Sequence, residues 1–333
     1  MGTAALVAEV GGDAPELAAR ARARIDDLER RWSRFLPDSE ISVVNASAGA
    51  VVPVSTVTAE VLSAAIEGWR LTGGRFDPTM LRPLERAGYD RSFELLEAAV
   101  EAYVPSSSAT SASSAVWRQR SGRSASGSAS LGLQVDESAG TVVLDEGLGL
   151  DLGGIGKGRA ADLAVADLLH AGAEGVCVDI GGDVRVAGRA PFEGGWIVGV
   201  ADPSGDNDVA ATAVALADGA VATSTRCRRR WRSDGRTVHH LLDPATGRPA
   251  DGDLDTVTVI AAEAWWAEVI AKAALIAGSV AGAELISASG LSGLLRRADG
   301  ELVRVGAVAS FEVAELERAQ PASVGALTSG ARA

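Results

Sequence analysis

Apolar residues recur along this chain at two periods, one helical and one extended, and the changes between them outline its elements. Thr3 to Val10 predicts a first strand, closed by Gly11-Gly12. Asp13 stands three residues before Glu16 with Pro15 between them, a capping-box start. Leu17, Ala21, Ile25, Leu28, Trp32 and Phe35 then recur at spacings of three and four, which predicts a long amphipathic helix ended by Pro37-Asp38-Ser39. A second helix is predicted from Thr58 to Leu71, with Leu62, Ala65, Ile66 and Trp69 on its buried face and Gly73-Gly74 stopping it. Pro78 and Pro83 make Arg75 to Leu84 a rigid, irregular segment. Within it, Asp77-Pro78-Thr79 suits an Asx-type turn.

The second half reads mainly as strands. Trp196 to Val200, Ala213 to Ala217, Val221 to Trp231, Thr237 to Leu242 and Asp255 to Ile260 are predicted strands. Asp218-Gly219, Asp234-Gly235 and Asp299-Gly300 stand between runs as hairpin turns. A helix is predicted from about Ala262 to Ala277. The fold class that follows is α+β, a single domain over 1–311 with an antiparallel sheet flanked by helices. Residues 106–130 are rich in Ser, Ala and Gly and read as a flexible loop inside that domain, anchored in part by Trp117. Past Phe311 periodicity is lost, so residues 312–333 are expected to form a poorly ordered tail. No internal repeat is evident.

Composition narrows the partners. The chain has 333 residues, is 47% hydrophobic and carries a formal net charge of -13, so its surface repels phosphate backbones and no nucleic-acid partner is expected. Two cysteines, Cys177 and Cys227, are too few for a disulfide framework or a cysteine metal site, and each is expected to pack as a small hydrophobe. No apolar run approaches the ~18 residues of a membrane span. The first residues lack a basic n-region and an h-region, so a cytoplasmic protein is expected, or one on the extracytoplasmic face if a signal has been removed.

The chemistry concentrates between Leu150 and Gly188, LDLGGIGKGRAADLAVADLLHAGAEGVCVDIGGDVRVAG. GGIGKG, Gly153 to Gly158, fits neither the P-loop pattern nor G-x-G-x-x-G. It keeps the physics beneath both: glycines that let backbone N–H groups approach a phosphate, a helix start at Arg159, and the charge of Lys157. A tight strand-to-helix turn is the structural alternative. Asp179 and Asp183 flank Gly181-Gly182 and read first as turn-stabilising carboxylates. Arg226, Arg228, Arg230 and Arg232 alternate and would share one solvated face of a strand. His239 and His240 precede LLDPATGRP; a structural role is the ordinary reading of such a pair, and proton transfer near neutral pH is the chemical one.

Taken in order, several separated segments resemble the FAD:protein FMN transferase family, known as the ApbE family. These are MGT at Met1 to Thr3, RFLPDSEISVVN at Arg34 to Asn45, GGRFDPTM at Gly73 to Met80 and LDLGGIGKG at Leu150 to Gly158. VCVDIGGDVRVAG, VATS at Val221 to Ser224 and HLLDPATGRP at His240 to Pro249 complete the set. The resemblance implies a T-fold-like α+β domain. It implies an enzyme that cleaves FAD, attaches FMN through a phosphoester to a threonine of a target flavoprotein, and releases AMP. It further implies FAD contacts at Met1, Arg75, Phe76, Asp77, Asp151, Lys157 and, through its backbone, Leu241, with His240 handling the proton. Mg²⁺ would be held by a carbonyl of the D-L-G-G turn, here Gly154, and by the Asp and Thr of a helix motif A-D-A-x-x-T. This chain reads AEVIAK there, with Glu268 and Lys272 at those two positions. Glu followed by Lys four residues on is a favoured helix ion pair. Three readings stay open: an Mg²⁺-dependent transferase with Glu268 as a longer ligand, a flavin-binding protein with Lys272 in the metal's place, and a pyrophosphatase that gives FMN to water.

Overall fold

A computed structural model describes residues 4–96, 130–201, 210–233, 236–313 and 325–327. Its centre is an eight-stranded antiparallel sheet. The spatial order is Leu302–Val305, Ser292–Arg297, Leu254–Ala261, Gly219–Thr225, Asp183–Gly188, Gly175–Ile180, Ala5–Val10 and Gly325–Leu327. Asp299-Gly300 makes the expected hairpin, with Arg296 opposite Leu302 and Gly300 at φ 90. In the run after Phe311, where a tail was expected, Gly325–Leu327 pairs as an edge strand with Ala5–Val7.

Helices are numbered α1 (Ala14–Trp32), α2 (Glu40–Ala46), α3 (Thr56–Leu71), α4 (Leu81–Arg86), α5 (Gly156–His170), α6 (Ala264–Ala277) and α7 (Ser279–Ala288). α1 begins as predicted, with the Asp13 side chain accepting from Glu16 N–H, but it ends at Trp32 and does not reach Phe35. α4 corrects the irregular reading of Arg75 to Leu84. Pro83 sits in the first turn of α4, where a missing N–H breaks no helical bond.

Alternation along the strands sorts side chains into two cores. Val176, Val178 and Ile180 pack with Leu28, Ile155, Ala164 and Leu168 on the helical side. Val184, Val186, Val221, Ile260 and Leu294 pack on the other side with Trp196, Val198, Val214 and Leu216. The latter four lie on Trp196–Ala201 and Ala210–Leu216, which form their own two-stranded sheet. Asp218-Gly219 therefore joins two different sheets instead of making the expected hairpin, because the strand after it pairs with Asp183–Gly188 and Leu254–Ala261. Cys177 packs against that second core, and burial pushes its thiol up to about 12. A three-stranded sheet of Val51–Pro53, Thr141–Leu144 and Leu133–Asp136 covers another side of the helical core. Among the described residues no helix is long and apolar enough to cross a membrane. Of the segment 106–130, all but Ser130 lies outside the described residues, Trp117 included.

Candidate functional site

The approach to the site is set by short elements whose polar groups are nearly all used. Ser39 caps α2 by accepting from Ser42 N–H. Glu40 is held by Arg31 at 2.9 Å and by the Ser55 hydroxyl at 2.8 Å. Asn45, near the end of α2, accepts from Leu150 N–H at 2.6 Å and donates to the Leu150 carbonyl at 3.0 Å. That two-pronged clamp fixes the backbone entering Asp151. Asp151 N–H in turn donates to the Pro78 carbonyl at 2.8 Å, tying this stretch to the turn before α4. The predicted Asx turn is present: Asp77 Oδ1 accepts from both the N–H and the hydroxyl of Thr79. Asp151 Oδ1 accepts from Gly153 N–H and lies 3.6 Å from Arg34.

α5 begins inside GGIGKG, as its glycines allow. Gly158 meets α6 so closely that an added Cβ would stand 2.4 Å from the Ala264 carbonyl oxygen, so no larger residue fits without moving a helix. The same approach places Gly158 N–H 2.9 Å from Glu268 Oε2. The start of α6 is fixed from α5 as well: Asp162 accepts from the N–H groups of Ala264 and Trp265 at 2.8 and 3.0 Å. Burial outweighs these bonds and pushes the Asp162 carboxyl up to about 6. Lys157, one turn earlier, points across the sheet. Its ammonium is paired with Asp183 and lies 3.1 Å from Glu268 Oε1.

Asp183 therefore does more than stabilise a turn, which corrects its first reading. It is 1% exposed, pairs with Lys157 and also accepts from Thr223 N–H. Asp179 does play the turn role, accepting from Gly182 N–H at 2.7 Å.

Above this network lies a cleft that opens to solvent at its mouth. Arg34, Asp151, Lys157, Arg229, His240 and Lys272 line it, with Trp32, Phe35 and Tyr89 supplying aromatic surface. An adjoining recess adds Arg75, Asp77 and Ile276 and shares Asp151, His240 and Lys272. The sequence reading missed Arg34 and Arg229. Arg34 stacks over Phe35 and Tyr89 at 4.2 and 4.7 Å and donates to the Tyr89 carbonyl. Arg229 is the one non-glycine residue at positive φ (49) among the described residues, a backbone strain of the kind that collects at functional sites. Its position also overturns the expected arginine face. The strand from Gly219 ends at Thr225 and a separate one starts at Arg230, so Arg226 leaves the row and pairs with Asp255. The turn between Arg230–Ser233 and Arg236–His239 is the hairpin predicted at Asp234-Gly235, whose two residues lie outside the described ones.

The two histidines separate cleanly. His239 is held within the protein, its Nε2 3.2 Å from the Ala250 carbonyl and its Nδ1 accepting from Leu241 N–H. His240 faces the cleft with a buried Nδ1 that has no hydrogen-bond partner among the described residues. Burial, and then the charges of Arg229 and Lys272, hold it well below its ordinary value, so its imidazole is neutral at neutral pH. Lys272 is half-buried; burial lowers its pKa, against the pull of Asp151 and Glu268. Its ammonium lies 6.0 Å from the Phe76 ring centre.

The other expected contacts are placed as follows. Phe76 is 1% exposed and packs against Gly68 of α3, beneath Lys272. Leu241 has both backbone groups engaged, its carbonyl accepting from Ala250 N–H. Met1 lies outside the described residues.

The implied Mg²⁺ donor set does not suit that ion. Mg²⁺ requires oxygen ligands in near-octahedral array. Lys272 has no lone pair to give when charged. Glu268 Oε2 is bonded to Gly158 N–H and its Oε1 is in contact with Lys157. Lys272 packs against Gly154: a Cβ there would lie 2.6 Å from the Lys272 ammonium nitrogen and 2.7 Å from its Cδ, so a positive charge already stands beside that turn. Among the described residues no three His, Cys, Asp or Glu side chains converge as a metal cluster.

Comparison with known proteins agrees with this architecture. A profile of the ApbE family matches residues 1–295. The chain is similar to an FAD:protein FMN transferase of Treponema pallidum, 37% identical over 142 residues, which is 40% of this chain and 39% of that one. It is similar to a protein of the same name from Salmonella typhimurium, 26% identical over 90% of this chain and 83% of that one. The first alignment thus spans well under half the relative's length, and the second most of it. Among solved structures, the ApbE protein of Thermotoga maritima superimposes with a TM-score of 0.73 at 28% identity, covering 92% of this chain and 94% of that chain.

Proposed function

The chain belongs to the ApbE family, and on that footing we propose that it is an FAD:protein FMN transferase. The reading assigns it FAD as substrate and a flavoprotein with an acceptor threonine as partner, with residues 1–311 as the catalytic unit. The observation that carries it is the cleft itself, where aromatic surface adjoins Arg34, Lys157, Arg229 and Lys272, with a neutral histidine in the same wall. An isoalloxazine needs an apolar, aromatic slot, and a pyrophosphate needs cations beside it.

In this reading Arg75, Asp77 and Asp151 position the dinucleotide, with Phe76 supporting Lys272 from below. The acceptor hydroxyl oxygen forms a bond to the FMN-side phosphorus while the bond to the bridging oxygen breaks. AMP leaves with the electron pair, and His240 accepts the hydroxyl proton. No step is routed through a metal.

The test is incubation of the full chain with FAD and a flavoprotein domain that carries an acceptor threonine. Covalent flavin on the domain, matched by released AMP, is the expected result. Free FMN and AMP without labelling would make the protein a pyrophosphatase. FAD bound and left intact would make it a binding protein.

A further inference from the structure

Resting on the FAD reading of the cleft, we propose that Lys272 takes the place of a divalent cation, so that this protein binds the FAD pyrophosphate by its own ammonium group and without Mg²⁺. Three observations support it. The first is proximity: the lysine stem and ammonium pack against Gly154, where an added Cβ would stand 2.6 Å from Nζ, so Lys272 already brings its charge to the turn that would offer the carbonyl. The second is the state of the carboxylate. Glu268 Oε2 accepts from Gly158 N–H, Oε1 is in ion-pair contact with Lys157 without a hydrogen bond among the described residues, and Lys157 is itself paired with Asp183. A bare dication placed there would have to displace Lys157 from Glu268 and sit beside two ammonium groups.

The third is the environment of Lys272. Among the described residues no carboxylate lies within ion-pair distance of it, although Asp151, Glu268 and Asp77 all contribute to its field. A half-buried ammonium without a contact partner is costly to hold unless a ligand supplies the counter-charge. Arg229 and His240 share its wall, so the ligand atoms reaching Lys272 meet cationic and neutral groups together with two acids, Asp151 and, in the adjoining recess, Asp77 beside Arg75. An anion fits that surface. Lysine is a compact point charge able to donate three hydrogen bonds, which suits non-bridging phosphate oxygens. It is no Lewis acid, so here neutralisation comes from charge and hydrogen bonding alone.

The experiment uses the full chain and FAD fluorescence to measure affinity, once in chelator and once in Mg²⁺, for the natural protein and for Lys272→Thr. The natural protein is expected to bind FAD equally in both conditions. Lys272→Thr is expected to lose about tenfold or more in chelator, the worth of a hydrogen bond to a charged group, and to regain affinity with Mg²⁺. Lys272→Met, which keeps the stem, is expected to lose the same affinity and regain none. Calorimetric titration of Mg²⁺ into the FAD complex should show no binding for the natural protein and a site for Lys272→Thr. FAD affinity in the natural protein that rises with Mg²⁺, or a Met variant that binds FAD unchanged in chelator, would overturn the proposal. Failure of the transferase reading looks different: no target domain is labelled in any condition, while the affinities still report on Lys272.

Discussion

Two lysines reach one cleft from neighbouring helices, and their surroundings are opposite. At the start of α5, Lys157 is paired with Asp183 and contacts Glu268, which also takes the Gly158 N–H. Charge there is balanced inside the fold. In the middle of α6, Lys272 has Gly154, the Phe76 ring and open cleft around it, with His240 in the same wall. Charge there is left over. A closed buried network is expensive to break, whereas an unpartnered group is expensive to keep and becomes useful only when a ligand arrives. Lys157 therefore lines the cleft with a charge the fold already balances, and Lys272 with one that a ligand completes.

Mutations should separate the two. His240→Ala is expected to have the largest effect, lowering the labelling rate about 10²–10⁴-fold, as loss of a general base does, while the melting temperature holds. Its depressed pKa keeps the base form present to lower pH. The natural protein's rate should therefore stay level as pH falls through 6.5 and decline only well below it. A rate that halves at pH 6.5 would assign the proton transfer to another group.

Asp183→Asn attacks the scaffold side and should cost about 3–5 kcal/mol in denaturant titration, the usual price of breaking a buried ion pair. A loss within experimental error would show that Lys157 does not depend on it. Gly158→Ala should cost about 1–3 kcal/mol by overpacking the contact between α5 and α6, and should disturb Glu268 with it.

Asp162 gives a pH test of the same junction. Its folded pKa is raised from 3.8 to about 6, so the folded state retains a proton that the unfolded chain has already lost. Its contribution to stability therefore declines as pH rises across that window, on the order of 3 kcal/mol. Asp162→Asn should flatten that part of the profile measured by thermal melting. Lys272→Met should change stability least, by less than about 1 kcal/mol, because a buried charge is exchanged for an apolar stem of similar volume.

Much of this was legible in the chain. The helical spacing from Leu17 to Trp32, the Asp13 cap, the Asx turn at Asp77 and the strands around Gly181-Gly182 all follow from local rules. Long-range partnerships were not. Nothing local distinguishes Asp183 from Asp179, and only the packing of α5 on the strand Asp183–Gly188 brings Asp183 beside Lys157. The arginine row failed for a related reason. Alternation breaks at Arg229, where the backbone turns left-handed and redirects the chain. Arg34 could have been singled out by its place before Phe35 and Pro37, but its stacking on Tyr89 spans 55 residues. RFLPDSEISVVN was legible as a motif and opaque as a mechanism: its Asn45 acts through the backbone of Leu150, and so on Asp151.

The most direct test is a crystal structure of the protein with FAD, grown in Mg²⁺. The account predicts the Lys272 ammonium in hydrogen-bond contact with a pyrophosphate oxygen, Lys157 still on Asp183, and no ion on Glu268. An octahedral ion joining Glu268 to the Gly154 carbonyl, with Lys272 swung out of the cleft, would contradict it.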